Sequence, residues 1–152
     1  MQDPNLFIGI DPGNSGGVCA TTGRLSVCDK TPGTVADMAK LMLSLLDMGT
    51  RPMVVIESVH SMPGNSGRSM FTFGTNYGQW LGILAALHIP YIQVPPTTWM
   101  KTFGAMPKAK TARKNHLKHL AQQRYPDLHI TLATADAILI AHYCFTRHKL
   151  NN

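Results

Sequence analysis

Two short uncharged runs, residues 6–10 and 53–56, are each followed directly by one acidic residue. Both runs are apolar and rich in Ile and Val, a composition typical of central strands that are buried on both faces of a sheet. Asp11 follows the first run and opens a Gly-rich turn, and Glu57 follows the second. Because α/β sheets bind ligands at the carboxyl ends of their strands, the pattern predicts an α/β protein with a site at that edge.

The rest of the chain predicts strands that alternate with helices after an opening meander. Further strands are predicted at 18–21, 24–28 and 91–94, and helices at 34–48, 74–87, 109–124 and 134–147, with a short helical turn at 95–100. Residues 58–72 are rich in Gly, Ser and Met and are predicted to be a loop. We therefore expect residues 1–152 to form one domain with a three-layer α/β fold. Its mixed five-stranded sheet, an antiparallel meander followed by parallel strands, carries helices on both faces.

The charge distribution favours a polyanionic partner. The chain has 14 Lys and Arg against 8 Asp and Glu, for a net charge of +6. No acid occurs between Ser58 and Pro126, whereas eight basic residues do. A field of one sign over such a length is typical of nucleic-acid binding.

Several other classes of protein are disfavoured. No apolar run is long enough to span a membrane, and the N-terminus lacks the basic and apolar regions of a secretory signal. The chain has three cysteines, Cys19, Cys28 and Cys144, without metal-ligand spacing. We therefore expect a cytoplasmic protein of a reducing compartment without a disulfide framework.

Three acids are candidate metal ligands. Asp11 and Glu57 both end apolar runs, and they lie side by side if the two strands are neighbours. Asp136 is in the first turn of the last helix and shares a face with Leu139, Ile140 and Tyr143, which directs it toward the sheet. Adjacent carboxylates repel each other unless a cation lies between them. An all-oxygen set suits Mg²⁺ or Mn²⁺ rather than zinc, and it predicts two-metal phosphodiester hydrolysis.

The segments around these acids resemble, in order, the motifs of RuvC-type Holliday junction resolvases. The matching segments are 7–13 (Phe-Ile-Gly-Ile-Asp-Pro-Gly), 54–57 (Val-Val-Ile-Glu) and 135–141 (Ala-Asp-Ala-Ile-Leu-Ile-Ala), and the likeness extends over almost the whole chain. The resemblance implies a ribonuclease H-like fold, a homodimer, and paired nicks across a four-way DNA junction. It also implies that Lys110 is a catalytic lysine at a helix start, near the scissile phosphate. One position departs from the family: Ala133 stands where a further metal ligand is usual, three residues before Asp136.

Further residues are candidate contacts to DNA. Lys110, Lys114 and Lys118 repeat at helical spacing and could follow a phosphate backbone. Aromatic residues of the predicted 58–72 loop and its end could stack on unpaired bases. Gly74, Gly78 and Gly82 form a small-residue stripe that allows another helix to approach closely. The complete predicted DNA-binding set is Arg68, Phe71, Phe73, Lys101, Lys108, Lys110, Arg113, Lys114 and Lys118.

Two other functions remain open at this stage. The chain could bind junctions or other nucleic acids with weak or no catalysis, which the alanine at position 133 would favour. It could also be an actin-like phosphotransferase that uses Asp11, Pro12 and Gly13 as a phosphate loop. That activity needs a second phosphate motif, and we find none in the sequence.

Overall fold

The computed structural model describes residues 4–58, 60 and 63–150. Its strands are β1 (Leu6–Asp11), β2 (Gly17–Thr21), β3 (Ser26–Lys30), β4 (Pro52–Glu57) and β5 (Tyr91–Val94). Its helices are α1 (Val35–Leu46), α2 (Gly67–Ala86), α3 (Pro96–Met100), α4 (Lys110–Arg124) and α5 (Ala135–Leu150), and a 3-10 turn covers Lys101–Phe103. Thr34 caps α1 as predicted, since its side chain accepts a hydrogen bond from the Asp37 backbone N–H.

The five strands form one mixed sheet in the order β3-β2-β1-β4-β5. The pairs β1–β2 and β2–β3 are antiparallel, whereas β1–β4 and β4–β5 are parallel. This arrangement confirms the predicted meander followed by parallel strands. It places β1 at the centre of the sheet with β4 beside it, so the two acid-ending strands are neighbours.

Side chains of the central strands alternate between two apolar cores, one on each face of the sheet. Leu6, Ile8 and Ile10 of β1 face the core formed with α1 and α2. Phe7 of β1 and Val55 of β4 face the opposite core, formed with α3, α4 and α5. By the same alternation, Asp11 and Glu57 belong to the α5 side of the sheet.

Helix α5 lies directly against β1 because Gly9 has no side chain. A Cβ atom at Gly9 would lie 2.2 Å from the carbonyl oxygen of Ala137 and 2.3 Å from the amide nitrogen of Ala141. The facing residues of α5 are also small, and residues 137–141 are all buried. This close approach sets the height of α5 over the sheet and therefore the position of Asp136 on its first turn.

The start of α2 differs from the prediction. The helix begins at Gly67, not near residue 74, because the Ser66 side chain accepts a hydrogen bond from the Ser69 backbone N–H and caps it. The prediction that Arg68, Phe71 and Phe73 belong to a loop is therefore wrong, since all three lie on the first two turns of α2. The Gly and Ser content of this stretch obscured its helical periodicity.

A disulfide between Cys19 and Cys28 was not foreseen from the sequence. The two residues lie directly opposite each other on the antiparallel strands β2 and β3, a relation that sequence spacing does not reveal. Cys144 is a buried free thiol. No helix in the described part of the chain is both long enough and apolar enough to cross a membrane.

Candidate active site

Asp11 and Glu57 occupy adjacent positions at one edge of the sheet. Ile10 of β1 is in register with Ile56 of the parallel strand β4, so the acids that follow them end neighbouring strands. Both side chains are partly exposed, and a ligand can therefore reach them. The negative charge of Glu57 is one of the causes that raise the pKa of Asp11, in keeping with the adjacent positions of the two carboxyl groups.

Asp136 joins this pair from the opposing helix. Ala137, the next residue, is packed on Gly9 of β1, and Asp136 therefore stands beside the end of that strand. Its negative charge raises the pKa of both Asp11 and Glu57. The structure thus brings together the three acids that the sequence singled out, which we call the three carboxylates.

All three carboxylates are half-buried, and the loss of surrounding water is the first cause of their raised pKa values. Burial and the charges of its two acidic neighbours hold the pKa of Asp11 well above its usual range. Burial raises the pKa of Glu57 to about 7 and that of Asp136 to about 6. Such values describe a site where negative charge is concentrated and a cation would be stabilised.

Trp99 is a site residue that the sequence analysis missed. It is fully buried on α3, and its indole Nε1–H donates a hydrogen bond of 2.7 Å to Glu57 Oε2. The donated hydrogen bond lowers the pKa of Glu57, partly opposing the effect of burial. Trp99 therefore holds one carboxylate oxygen of Glu57 in a defined place. The local sequence signal was only a tryptophan in a short helical turn, which reads equally well as a core residue.

Asn76 supports the turn that follows Asp11. It is buried on α2, and its Oδ1 accepts a hydrogen bond of 2.7 Å from the Gly13 backbone N–H. Gly13 has a φ of +111°, and the Phe73 ring lies where its Cβ would be, so only glycine suits this position. Helix α2 therefore fixes the turn after β1, and with it the end of the strand that carries Asp11.

Positive charge approaches the three carboxylates from α4. Lys114 lowers the pKa of both Asp11 and Asp136, and Arg113 lowers that of Asp136. Lys110, the predicted catalytic lysine, is the first residue of α4, one turn before Lys114, and Lys118 lies one turn after it. Of this predicted stripe, Lys110 and Lys114 are exposed and Lys118 is half-buried.

The remaining predicted contact residues lie on two sides of this edge. Phe71 is 78% exposed on α2, whereas Phe73 is 37% exposed and packs over Gly13. Arg68 and Phe73 line a shallow pocket with Asn14 of the turn after β1. Lys101 and Lys108 are exposed on the segment between α3 and α4. The turn after Asp11 thus lies beside the aromatic residues of α2.

The residues present fit a divalent cation by their chemistry. The three carboxylates are an all-oxygen donor set, which hard cations such as Mg²⁺ and Mn²⁺ prefer over sulfur ligands. Among the residues that the structure describes, no three Asp, Glu, His or Cys side chains already lie in a metal-holding arrangement. A bound ion would therefore have to draw the three carboxylates closer together, and its positive charge would offset the repulsion that contributes to the raised pKa values of Asp11 and Glu57.

Ala133 lies at the same edge of the sheet. The backbone N–H of Ala135 donates to the carbonyl of Thr131, so a helical turn containing Ala133 leads into α5. The Ala133 carbonyl would be 2.7 Å from a Cβ on Gly17, the residue paired with Asp11. Because Ala133 precedes Asp136 by three residues, a longer side chain at this position would start on the face of the helical turn that also carries Asp136.

The raised pKa values predict how the metal-free protein responds to pH. Glu57 has a higher pKa in the folded protein than its reference value of 4.5, so folding becomes less favourable as the pH rises from about 4.5 to about 7. Glu57→Gln removes that charge and keeps an acceptor for Trp99. We expect the melting temperature of the variant to be about 5 °C higher than that of the wild type at pH 8 in EDTA. This corresponds to an increase of roughly 2 kcal/mol in the free energy of unfolding.

Thermal unfolding followed by circular dichroism measures this difference, which should vanish at pH 4. Saturating Mg²⁺ should raise the melting temperature of the wild type more than that of the variant. Asp127→Asn, which neutralises an exposed acid, serves as the control and should match the wild type at both pH values. Equal melting of Glu57→Gln and wild type at pH 8 would contradict the raised pKa.

No protein-family profile matches the chain, and no curated protein sequence matches it either. Among solved structures it is similar to Thermus thermophilus RuvC, with a TM-score of 0.66 over 96% of both chains at 17% identity. It is also similar to T. thermophilus RuvC in complex with a Holliday junction substrate, with a TM-score of 0.65 over 93% of this chain and 94% of that one, at 17% identity. The chain therefore has a RuvC-type, ribonuclease H-like fold, as predicted.

Proposed function

We propose that the chain is a divalent-metal-dependent endonuclease that resolves four-way DNA junctions, and that residues 1–152 act as one nuclease domain. The observation that carries the proposal is the meeting of Asp11, Glu57 and Asp136 at one edge of the sheet, with Lys114 and Arg113 beside them. The RuvC-type fold supports it, because solved proteins of this fold include one bound to a Holliday junction.

In this proposal the three carboxylates hold Mg²⁺ or Mn²⁺. When bound, the ions would activate a water and stabilise the leaving oxygen of the scissile phosphodiester. Asp11 and Glu57 provide oxygens from the sheet and Asp136 from α5, and Trp99 orients Glu57. Lys110 is assigned to the non-bridging oxygens of the scissile phosphate, where a lysine acts as a point charge.

The proposed DNA contacts are mainly basic residues on α4 and on the segment that precedes it. Lys114 and Lys118 continue the line of Lys110 along α4 and would bind successive phosphates. Phe71 is the most exposed aromatic residue among the predicted contacts, with 78% of its surface accessible. Because Phe71 lies on a helix and not in a loop, its backbone is already ordered when it presents its ring to unpaired bases at the junction centre. The proposed contacts also include Arg68, Phe73, Lys101, Lys108 and Arg113.

A second copy of the chain is the proposed protein partner. Gly74, Gly78 and Gly82 are exposed on α2, and in the described part of the chain nothing lies within 4 Å of a Cβ built on them. The small-residue stripe is therefore not used to pack a helix of the same chain. A two-fold dimer matches a two-fold substrate with two scissile phosphates.

The test is incubation with a synthetic four-way junction and with linear duplex, in Mg²⁺, in Mn²⁺ and in EDTA. We expect paired nicks in the junction only, and only with metal present. Light scattering should report about twice the 16.6 kDa of one chain at micromolar concentration. A monomer that cuts both DNAs equally would contradict the proposal, and ATP hydrolysis without DNA would favour the actin-like alternative.

Ala133 favours a second candidate function, a junction-binding protein with weak catalysis. An acid at this position would stand one helical turn before Asp136 and add a fourth oxygen ligand. We expect Ala133→Asp to raise the cleavage rate in Mg²⁺ at least about tenfold, equivalent to about 1.4 kcal/mol of transition-state stabilisation.

The rate is measured on the four-way junction under single-turnover conditions, beside Ala133→Asn as the uncharged control. Asn provides an oxygen without charge and should give a smaller gain. Brisk cleavage by the natural sequence, with no gain in Ala133→Asp, would show that three carboxylates suffice.

A further inference from the structure

A groove of about 730 Å³ lies between α3, the segment 101–109 and the first turn of α4. Its half-buried lining is mainly apolar and includes Pro96, Met100, Met106 and Pro107. Three cations also line it, the exposed Lys101 and Lys108 and the half-buried Arg113. A concave apolar surface with a few placed polar groups is the usual form of a ligand site.

One wall of the groove is held in place by Arg113. Its guanidinium Nη1 donates to the carbonyl oxygens of Pro107, at 3.4 Å, and Lys108, at 3.1 Å. These bonds tie the segment before α4 to the helix itself. The groove is therefore built into the fold, and a ligand would not have to order this wall on binding.

The groove adjoins the three carboxylates on two sides. Met100, which lines it, directly follows Trp99, whose indole contacts Glu57. Arg113, which also lines it, carries the charge that acts on Asp136. The groove therefore begins at the residue next to Trp99, and it shares Arg113 with the surroundings of the three carboxylates.

The lining determines which ligand fits. Apolar walls with methionine sulfurs suit the faces of an aromatic ring, while the cations suit phosphate. No acidic residue occurs between Ser58 and Pro126, so nothing in this part of the chain repels an anion. The groove therefore suits a ligand with an aromatic ring next to an anionic group, and a nucleotide within a DNA strand has this chemistry.

We propose that this groove binds one unpaired nucleobase of the DNA strand whose phosphate lies at the three carboxylates, with Lys101 and Lys108 on the flanking phosphates. A base in a duplex is stacked on both faces and cannot enter a concave groove, so the ligand is a base that has left the stack. The inference rests on the proposed function, and it adds a base-binding subsite to it.

The test measures binding in EDTA, so it does not depend on cleavage. Fluorescence anisotropy gives the affinity for junctions in which each nucleotide near the branch point is replaced in turn by an abasic analogue. We expect one position in each bound strand to lower the affinity of the wild type about tenfold. Ala105→Trp places a large side chain in the groove. The variant should bind the intact junction as weakly as the wild type binds the junction with the critical abasic position. Removing that base should not lower the affinity of the variant any further.

Ala36→Trp is the matched control, because Ala36 is exposed on α1, away from the groove. It should keep the dependence of the wild type on the base, and thermal unfolding confirms that both variants fold. The double variant Lys101→Gln/Lys108→Gln should weaken all junctions alike and reduce the salt slope of binding by about two. An unchanged salt slope would show that Lys101 and Lys108 do not contact the phosphates.

The same comparison on single-stranded DNA, intact and abasic, separates this proposal from the proposed function. The wild type could bind junctions and single strands equally well and still lose affinity when the base is removed, while Ala105→Trp does not. That result would refute junction selectivity and support the groove as a base-binding site. Equal affinity of the wild type for intact and abasic DNA in both formats, or base dependence that persists in Ala105→Trp, would overturn the groove proposal. Either result would mean that the groove does not bind a nucleobase.

Discussion

Glu57→Gln is expected to lower the rate of junction cleavage at least about a thousandfold, equivalent to about 4 kcal/mol of transition-state stabilisation. Glutamine keeps the length of the side chain and an oxygen for the Trp99 indole, so the fold around Glu57 stays intact. It removes the negative charge that would balance a divalent cation. It also removes a negative charge close to the DNA phosphates, and we therefore expect junction affinity in EDTA to be similar or higher.

Single-turnover cleavage of a four-way junction in Mg²⁺ and in Mn²⁺ measures this effect, and anisotropy gives the affinity. Asp127→Asn is the matched control, because it removes one acid from an exposed position and should cleave like the wild type. Full activity in Glu57→Gln would remove Glu57 from the mechanism. Loss of both cleavage and binding would instead assign it a structural role.

Gly9→Ala is expected to destabilise the fold by about 3 kcal/mol or more, because the new methyl group overlaps the backbone of α5. The atoms that it would meet, the Ala137 carbonyl oxygen and the Ala141 amide nitrogen, are 2.2 and 2.3 Å away. Backbone atoms in the middle of a helix cannot turn aside, so α5 must shift as a whole. Since α5 carries Asp136, the variant should also lose cleavage under conditions where it remains folded.

Thermal and urea unfolding measure the loss, which should lower the melting temperature by about 10 °C in a protein of this size. Gly33→Ala is the control, because in the described part of the chain a Cβ at Gly33 has nothing within 4 Å. That variant should match the wild type or be slightly more stable, since alanine restricts the unfolded chain. Equal stability of Gly9→Ala and the wild type would show that α5 is not held by this contact.

Local patterns were sufficient to predict most of the elements. The runs that became β1 and β4, the Thr34 cap of α1 and the proline-initiated α3 all depend on short-range preferences that the residues display directly. The start of α2 was missed because Gly and Ser weaken helical periodicity, while the deciding feature was a single hydrogen bond to Ser66. The disulfide was missed because strand register, not sequence distance, places Cys19 opposite Cys28.

The sequence by itself was sufficient to single out the three carboxylates as candidates, since acids that end buried strands or face a core are rare enough to be noticed one at a time. It could not identify Trp99 as the hydrogen-bond donor to Glu57 or Asn76 as the support of the Gly13 turn. Nor could it identify Lys114 as the cation that lowers the pKa of Asp11. Those relations join α2, α3 and α4 to strands far away along the chain. On the α5 face they depend on how closely the helices approach the sheet, and at Gly9 that distance is set by packing between backbones. On the opposite face, Phe73 of α2 packs against Gly13, beside the hydrogen bond from Gly13 to Asn76.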